Sequence, residues 1–202
     1  MGMKKRPANP IKNIETILDI QDYLKYKNKR DYVLFALGIA TGYRAGDLVK
    51  LKVRDIKNAI LNGYFLIMEG KKENSKNIRE VNRKPREVKV INKLAKILKE
   101  YIRDKRDYEY VFQSRKGVNK PITVAHVSRI LRQAGNAFGL KNITAHSMRK
   151  TYAYRIYIES KCNIVMVKEM LGHSDTEITK RYLGLDRDTF DKYSDLLNDI
   201  LL

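Results

Sequence analysis

The sequence predicts a mainly α-helical protein with a small antiparallel β-sheet, an α+β fold. Three features carry that expectation. Apolar residues recur at three- and four-residue intervals over most of the chain. Only two short stretches, 63–68 and 87–91, are rich in β-formers or alternate as strands do. With 43% hydrophobic residues among 202, the chain can bury a core of ordinary domain size.

Taken in order, residues 13–28 carry Ile14, Ile17, Leu18, Tyr23 and Leu24 at roughly helical spacing, with Asp19 as the expected N-cap at a break. Residues 31–40 are almost wholly apolar and predict a buried helix ending before Thr41-Gly42, and Ala45–Leu51 a short helix. Gly63-Tyr-Phe-Leu-Ile-Met68 and Glu87-Val-Lys-Val-Ile91 predict the two strands, joined by a long basic connection over 70–86. Asn92 is the expected cap of a helix with Leu94, Ala95, Ile97, Leu98, Tyr101 and Ile102 on one face. Thr123 opens another, with Val124, Val127, Ile130, Leu131 and Ala134 inside and Arg129 and Arg132 outside. Residues 144–160 and 163–171 predict two more helices. Residues 188–201 form a closing helix, striped by Phe190, Tyr193, Leu196, Leu197, Ile200 and Leu201. Residues 1–12, with Arg6-Pro-Ala-Asn-Pro10, read as a start segment before one domain over 13–202.

The formal net charge is +19, which asks for a polyanionic partner. Lysines and arginines that neutralise phosphates release condensed counterions, so nucleic acid is the default. The charge is uneven: residues 71–106 hold 14 Lys+Arg against 5 Asp+Glu, whereas 183–202 hold 2 against 5. Lys72 and Lys76 in the basic connection, with Arg129 and Arg132, are the candidate DNA contacts. No apolar run approaches the ~20 residues of a membrane span, and no apolar secretory segment follows Met1-Gly-Met-Lys-Lys-Arg6. Cys162 is the sole cysteine, so no internal disulfide forms and a cytoplasmic location is expected.

A P-loop, a dinucleotide-binding glycine fingerprint and an HExxH motif are all lacking. Three histidines and one cysteine, with no carboxylate-rich cluster beside them, argue against a metal site. What remains is polar residues in segments that otherwise read as buried. Thr41-Gly-Tyr-Arg44-Ala-Gly-Asp47 places an arginine just after the most apolar helix. Thr144-Ala-His146-Ser-Met-Arg149 sets a histidine and an arginine three apart, on one helical face. Leu171-Gly-His173 precedes Tyr182 by nine residues. Singly, each has an ordinary explanation: an arginine in an ion pair with Asp47, a structural histidine, one tyrosine among 13.

In order, Gly-x-Arg44, His146-x-x-Arg149, Leu-Gly-His173 and Tyr182 resemble the catalytic domain of the tyrosine recombinases, the phage-integrase family, from about Asp19 to Tyr182. The resemblance implies that fold and the cutting and rejoining of duplex DNA through a covalent 3′-phosphotyrosine. It implies that Tyr182 is the nucleophile, that Arg44 and Arg149 grip the non-bridging oxygens, and that His146 is the general acid/base. His173 is then a hydrogen-bond donor to the phosphate, and Lys71, with Lys72 as fallback, the general acid for the leaving 5′-oxygen. It also implies no metal, no cofactor, and protomers assembled on DNA with the closing helix docked in trans. A tyrosine hydroxyl, with a pKa of roughly 10, needs such help at neutral pH. Asp47 stands where the family usually has Glu, Lys150 and Gly184 where many members have His. The additional DNA-clamping domain of most members is expected to be absent. Two other readings share these residues: a DNA-binding accessory protein that does not cleave, and nicking and sealing like that of type IB topoisomerases.

Overall fold

A computed structural model of the chain describes residues 7–67, 85–173 and 175–183. The chain divides into two compact units at Tyr152/Ala153.

The first unit is built on α1 (Ile14–Lys27), α2 (Lys29–Thr41), α3 (Ala45–Leu48) and α4 (Val53–Asn62), then β1 (Tyr64–Ile67) and β2 (Arg86–Lys89). α5 (Asn92–Ile102) and α6 (Val124–Ala137) follow, and then the start of α7 (Ala145–Glu159), within which the boundary between the units falls. α2 is the centre of this unit because its sequence, Lys-Arg-Asp-Tyr-Val-Leu-Phe-Ala-Leu-Gly-Ile-Ala-Thr, is apolar on nearly every side after the first turn. Val33, Leu34, Phe35 and Leu37 lose all contact with solvent. Each such side chain contributes about 1.5–3 kcal/mol on burial. Against α2 pack α1, through Ile17, Ile20 and Leu24, and α5, through Leu94, Leu98 and Ile102. β1 and β2 pair antiparallel, with Tyr64 opposite Lys89 and Ile67 opposite Arg86. Phe65, Ile67 and Val88 point inward, as strand alternation requires. Tyr43 meets Phe65 edge-on at 5.8 Å, fastening the strand pair to the turn after α2.

The second unit continues α7 and adds α8 (Ile164–Leu171) and α9 (Thr176–Leu183), which pack on each other. Asn163 caps α8 by accepting from the Met166 amide at 3.0 Å.

The mainly helical fold with a two-stranded antiparallel sheet agrees with the sequence reading, and the boundaries differ in instructive ways. Asp19 is no cap: α1 runs unbroken from Ile14, and Asn13 accepts from the Thr16 amide at 3.1 Å. Asn92 lies inside α5 as its first residue, leaving Ile91 at the cap position. Val124 faces solvent at the open first turn of α6, whereas Val127, Ile130, Leu131 and Ala134 are buried as expected. α3 stops at Leu48, short of Leu51. α4 and α9 went unread. α4 starts where Asp55 accepts from the Lys52 amide at 2.8 Å, one half of a capping box, which the lysine at the cap position hides. Most of the basic connection, and the expected closing helix 188–201, lie outside the described residues.

Gly42, just past α2, has φ +63°, and a Cβ there would lie 2.5 Å from Tyr152 Cδ1. Gly46, in α3, has open space around it. Gly42→Ala therefore combines left-handed strain of about 1–2 kcal/mol with overpacking of roughly 1–3 kcal/mol. It is expected to lower the thermal midpoint by many degrees. Gly46→Ala is expected to leave the midpoint unchanged or raise it slightly, because Ala limits the unfolded chain without a clash. Thermal melts of the two variants beside the parent check the pair.

Candidate active site

The site is best built outward from the C-terminus of α2. A helix leaves its last carbonyls without partners inside the helix, and they carry partial negative charge. Here the last turn contains no basic residue, so neutralising charge has to come from elsewhere in the chain. Arg149 supplies it from α7. Its side chain is fully buried, and Nη1 donates to the Gly42 carbonyl at 2.6 Å. Arg86 supplies more from the first residue of β2, Nη2 donating to the Thr41 carbonyl at 3.0 Å. Thr41 Oγ1 donates back to the Leu37 carbonyl at 2.6 Å, closing the helix end.

Two guanidiniums thus hold two successive carbonyls. Burial, together with the like charge of Arg149, pulls the Arg86 pKa down to about 10, against the opposing influence of Tyr152 and Tyr43. Arg86 also shares a side-chain hydrogen bond with Tyr152, the ring that covers Gly42. Burial raises the Tyr152 pKa, and the two arginines oppose that shift. Burial alone lowers the pKa of Lys150.

Arg44 stands two residues beyond Gly42, in extended conformation as the N-cap of α3. Its carbonyl accepts from the Asp47 and Leu48 amides, both at 2.9 Å. Arg44, Arg149 and Arg86 are therefore tied to one short turn. His146, the second residue of α7, is exposed, although Arg149 three residues on is buried. The three-residue spacing therefore leaves one side chain in solvent and the other in the interior. The first turn of α7 is anchored by hydroxyls: Thr144 Oγ1 accepts from the His146 amide at 3.3 Å, and Ser128 Oγ from the Ala145 amide at 3.3 Å.

In the second unit, Gly172 ends α8 in left-handed conformation, so the His173 amide turns back onto the Lys168 carbonyl at 3.0 Å. The His173 ring then meets the Tyr182 ring edge-on, centroids 4.7 Å apart. Its Nδ1 lies 3.0 Å from Oγ1 of Thr179, a fully buried residue one turn before Tyr182 on α9. The Thr179 contact fixes the ring orientation of His173 through its Nδ1.

Of the sequence candidates, Arg44, His146 and Arg149 belong to the first unit, and His173 and Tyr182 are in contact in the second. Lys71, Lys72 and Lys76 lie outside the described residues. Arg129 and Arg132 are exposed on α6, and Arg129 Nη2 approaches His126 Nδ1 at 3.0 Å. The sequence reading missed Arg86 and Thr179. Thr179 had a usable signal, since three residues separate it from Tyr182 on a helix. Arg86 had none beyond its charge.

Comparison with known proteins bears on the family and the fold. The Phage integrase family profile matches residues 10–188. The probable integrase/recombinase YoeC of Bacillus subtilis is 36% identical over 182 residues, covering 90% of this chain and 92% of YoeC. A tyrosine recombinase of Pseudothermotoga lettingae is 32% identical over 187 residues, and there the chain spans only 59% of the relative. Among solved structures, the XerA recombinase superposes with a TM-score of 0.67 at 20% identity, over 97% of this chain and 66% of XerA. XerH bound to its difH substrate gives 0.59 at 22% identity, over 96% of this chain and 55% of XerH. The catalytic domain of bacteriophage HP1 integrase gives 0.56 at 16% identity, over 94% and 95% of the two chains. These structural likenesses show a shared fold, and the family profile fixes the kinship: the chain belongs to the phage integrase family and carries its tyrosine recombinase catalytic domain.

Proposed function

We propose that this recombinase domain cuts and rejoins duplex DNA through Tyr182. The hydroxyl oxygen attacks a backbone phosphorus and a 3′-phosphotyrosine bond forms. The bond from phosphorus to the 5′-oxygen breaks. The tyrosine proton passes to His146, and the leaving 5′-oxygen takes a proton from Lys71, or from Lys72 if that lysine is the nearer. Arg44 and Arg149 carry fixed forks of donors, charged at any working pH, for the non-bridging oxygens as they gain charge. His173 donates to the same phosphate. The phosphotyrosine diester keeps the energy of the broken bond, so rejoining needs no ATP.

The observation that supports this most directly is the contact of His173 and Tyr182 at 4.7 Å. Two motif residues nine positions apart meet, as a shared phosphate requires, and Thr179 holds the histidine ring in place through Nδ1. The +19 charge and the exposed Arg129 and Arg132 suit a duplex partner. XerH and the Tn1549 integrase, whose structures hold DNA, share the fold. We place the reaction in the cytoplasm; among the described residues no helix is long and apolar enough to cross a membrane.

The test is capture. The 202-residue chain is incubated with a randomised library of nicked duplexes, and adducts that survive detergent are sequenced. The parent is expected to yield adducts that converge on a sequence. Tyr182→Phe is expected to yield none while still retarding the selected duplex in a gel. Adducts that persist in the Phe variant would place the nucleophile elsewhere.

Because the positive charge at the phosphate comes from guanidiniums and a lysine, adduct formation on the selected duplex is expected to continue in excess EDTA. Loss of activity in the chelator, restored by magnesium, would identify a metal-dependent nuclease.

We also place the 188–201 segment in a neighbouring protomer. Its apolar stripe is backed by Asp188, Asp191, Asp195 and Asp199, which phosphate would repel. Burying half a dozen such side chains at about 1.5 kcal/mol or more each gives a substantial association energy. Removing residues 186–202 is expected to spare binding of single protomers to the selected duplex and to eliminate the slower-migrating complexes. A truncated chain that no longer melts cooperatively without DNA would instead mean that the segment packs on its own chain.

A further inference from the structure

We propose that Arg86 is a positioning residue for Arg44: with Arg149 it clamps the carbonyl pair of Thr41 and Gly42, and so fixes the turn that presents the Arg44 guanidinium. This rests on reading Arg44 and Arg149 as the phosphate grip.

The geometry carries the argument. Arg86 Nη2 meets the Thr41 carbonyl at 3.0 Å and Arg149 Nη1 meets the Gly42 carbonyl at 2.6 Å. Arg44 follows within two residues, its own carbonyl held by the amides of α3. Backbone freedom between the clamped carbonyls and Arg44 is confined to Tyr43, which is itself buried against Phe65. Arg86 also bonds the Tyr152 side chain, whose ring closes over Gly42. One side chain from β2 therefore braces both the α2 terminus and the ring covering it.

A cap alone would not call for this residue. A neutral donor would satisfy the Thr41 carbonyl without placing a second cation beside the buried Arg149, an arrangement disfavoured by desolvation and like charge. The lowered affinity of Arg86 for its proton reflects both. A planar, always-forked donor set offers what a neutral amide cannot: simultaneous bonds to a carbonyl and a hydroxyl in fixed directions. Arg86 stands opposite Ile67 in the strand pair, and the intervening sequence contains Lys71 and Lys72. The same brace thus joins the turn bearing Arg44 to the strands that flank the candidate lysines.

The experiment compares parent, Arg86→Gln, Arg86→Lys, Arg44→Ala and the Arg86→Gln/Arg44→Ala double variant. Single-turnover adduct formation is measured at saturating protein on the selected nicked duplex, alongside DNA affinity and thermal midpoint. Arg86→Gln is expected to slow adduct formation on the order of 10- to 100-fold, with affinity and midpoint little changed. Arg86→Lys is expected to recover part of that rate. The double variant is expected to be no slower than Arg44→Ala, since a residue acting through Arg44 has nothing left to act on. Losses that multiply in the double variant overturn the proposal in favour of an independent role. So does an Arg86→Gln rate equal to the parent's while Arg44→Ala is slow, and so do rate losses that follow the thermal midpoint in both Arg86 variants. A parental rate in Arg44→Ala would overturn the reading of the phosphate grip, and this proposal with it.

Discussion

The bond from the buried Arg149 guanidinium to the Gly42 carbonyl organises the first unit around its chemistry. Burying an unpartnered guanidinium would cost several kcal/mol, so the fold has to supply carbonyl acceptors where that cation ends. It does so at the end of its most apolar helix, where partial negative charge is available. The left-handed turn at Gly42 presents the carbonyl, and the absent Cβ makes room for the Tyr152 ring. Thr41 locks the last helical turn, and Arg44 leaves the turn in extended conformation. Changing any one of these residues disturbs the acceptor on which the cation depends.

How much of this was legible in the sequence depended on the range of the interaction. α2 could be read because its burial is written into consecutive apolar residues, and α6 because Val127, Ile130, Leu131 and Ala134 keep helical spacing. The site motifs could be read because they are local strings of unusual polar residues. Errors arose where two local signals competed. Asp19 is a good cap residue, but Asn13 lies one turn before the first buried side chain and the helix starts there. α4 was hidden because its cap position holds Lys52, which has no side-chain acceptor, and only Asp55 reaches back to the Lys52 amide, although Val53, Ile56 and Ala59 keep helical spacing. Arg86 was illegible for a different reason. Its partners, Thr41 and Tyr152, lie 45 and 66 positions away, and nothing in the residues around it announces either one.

The electrostatics of the turn invert the usual use of a helix terminus. Helix N-termini draw anions with amide groups, whereas here a C-terminus draws two cations. α2 lends its partial charge to hold Arg86 and Arg149, so side chains that would repel one another are kept in fixed places. Preorganisation of this kind matters for a reaction whose transition state gains charge, because no donor has to be reoriented as it forms.

The contact among His173, Thr179 and Tyr182 has a further consequence. The three side chains lie within ten residues of sequence, on a turn and one short helix. They form a cassette: wherever Tyr182 travels, His173 travels too. A protomer that lent its tyrosine to a neighbour's phosphate would hand over the histidine as well, leaving its own phosphate short of both. Were the pair to serve one phosphate as proposed, ownership of the cut would follow the whole segment and not the tyrosine alone.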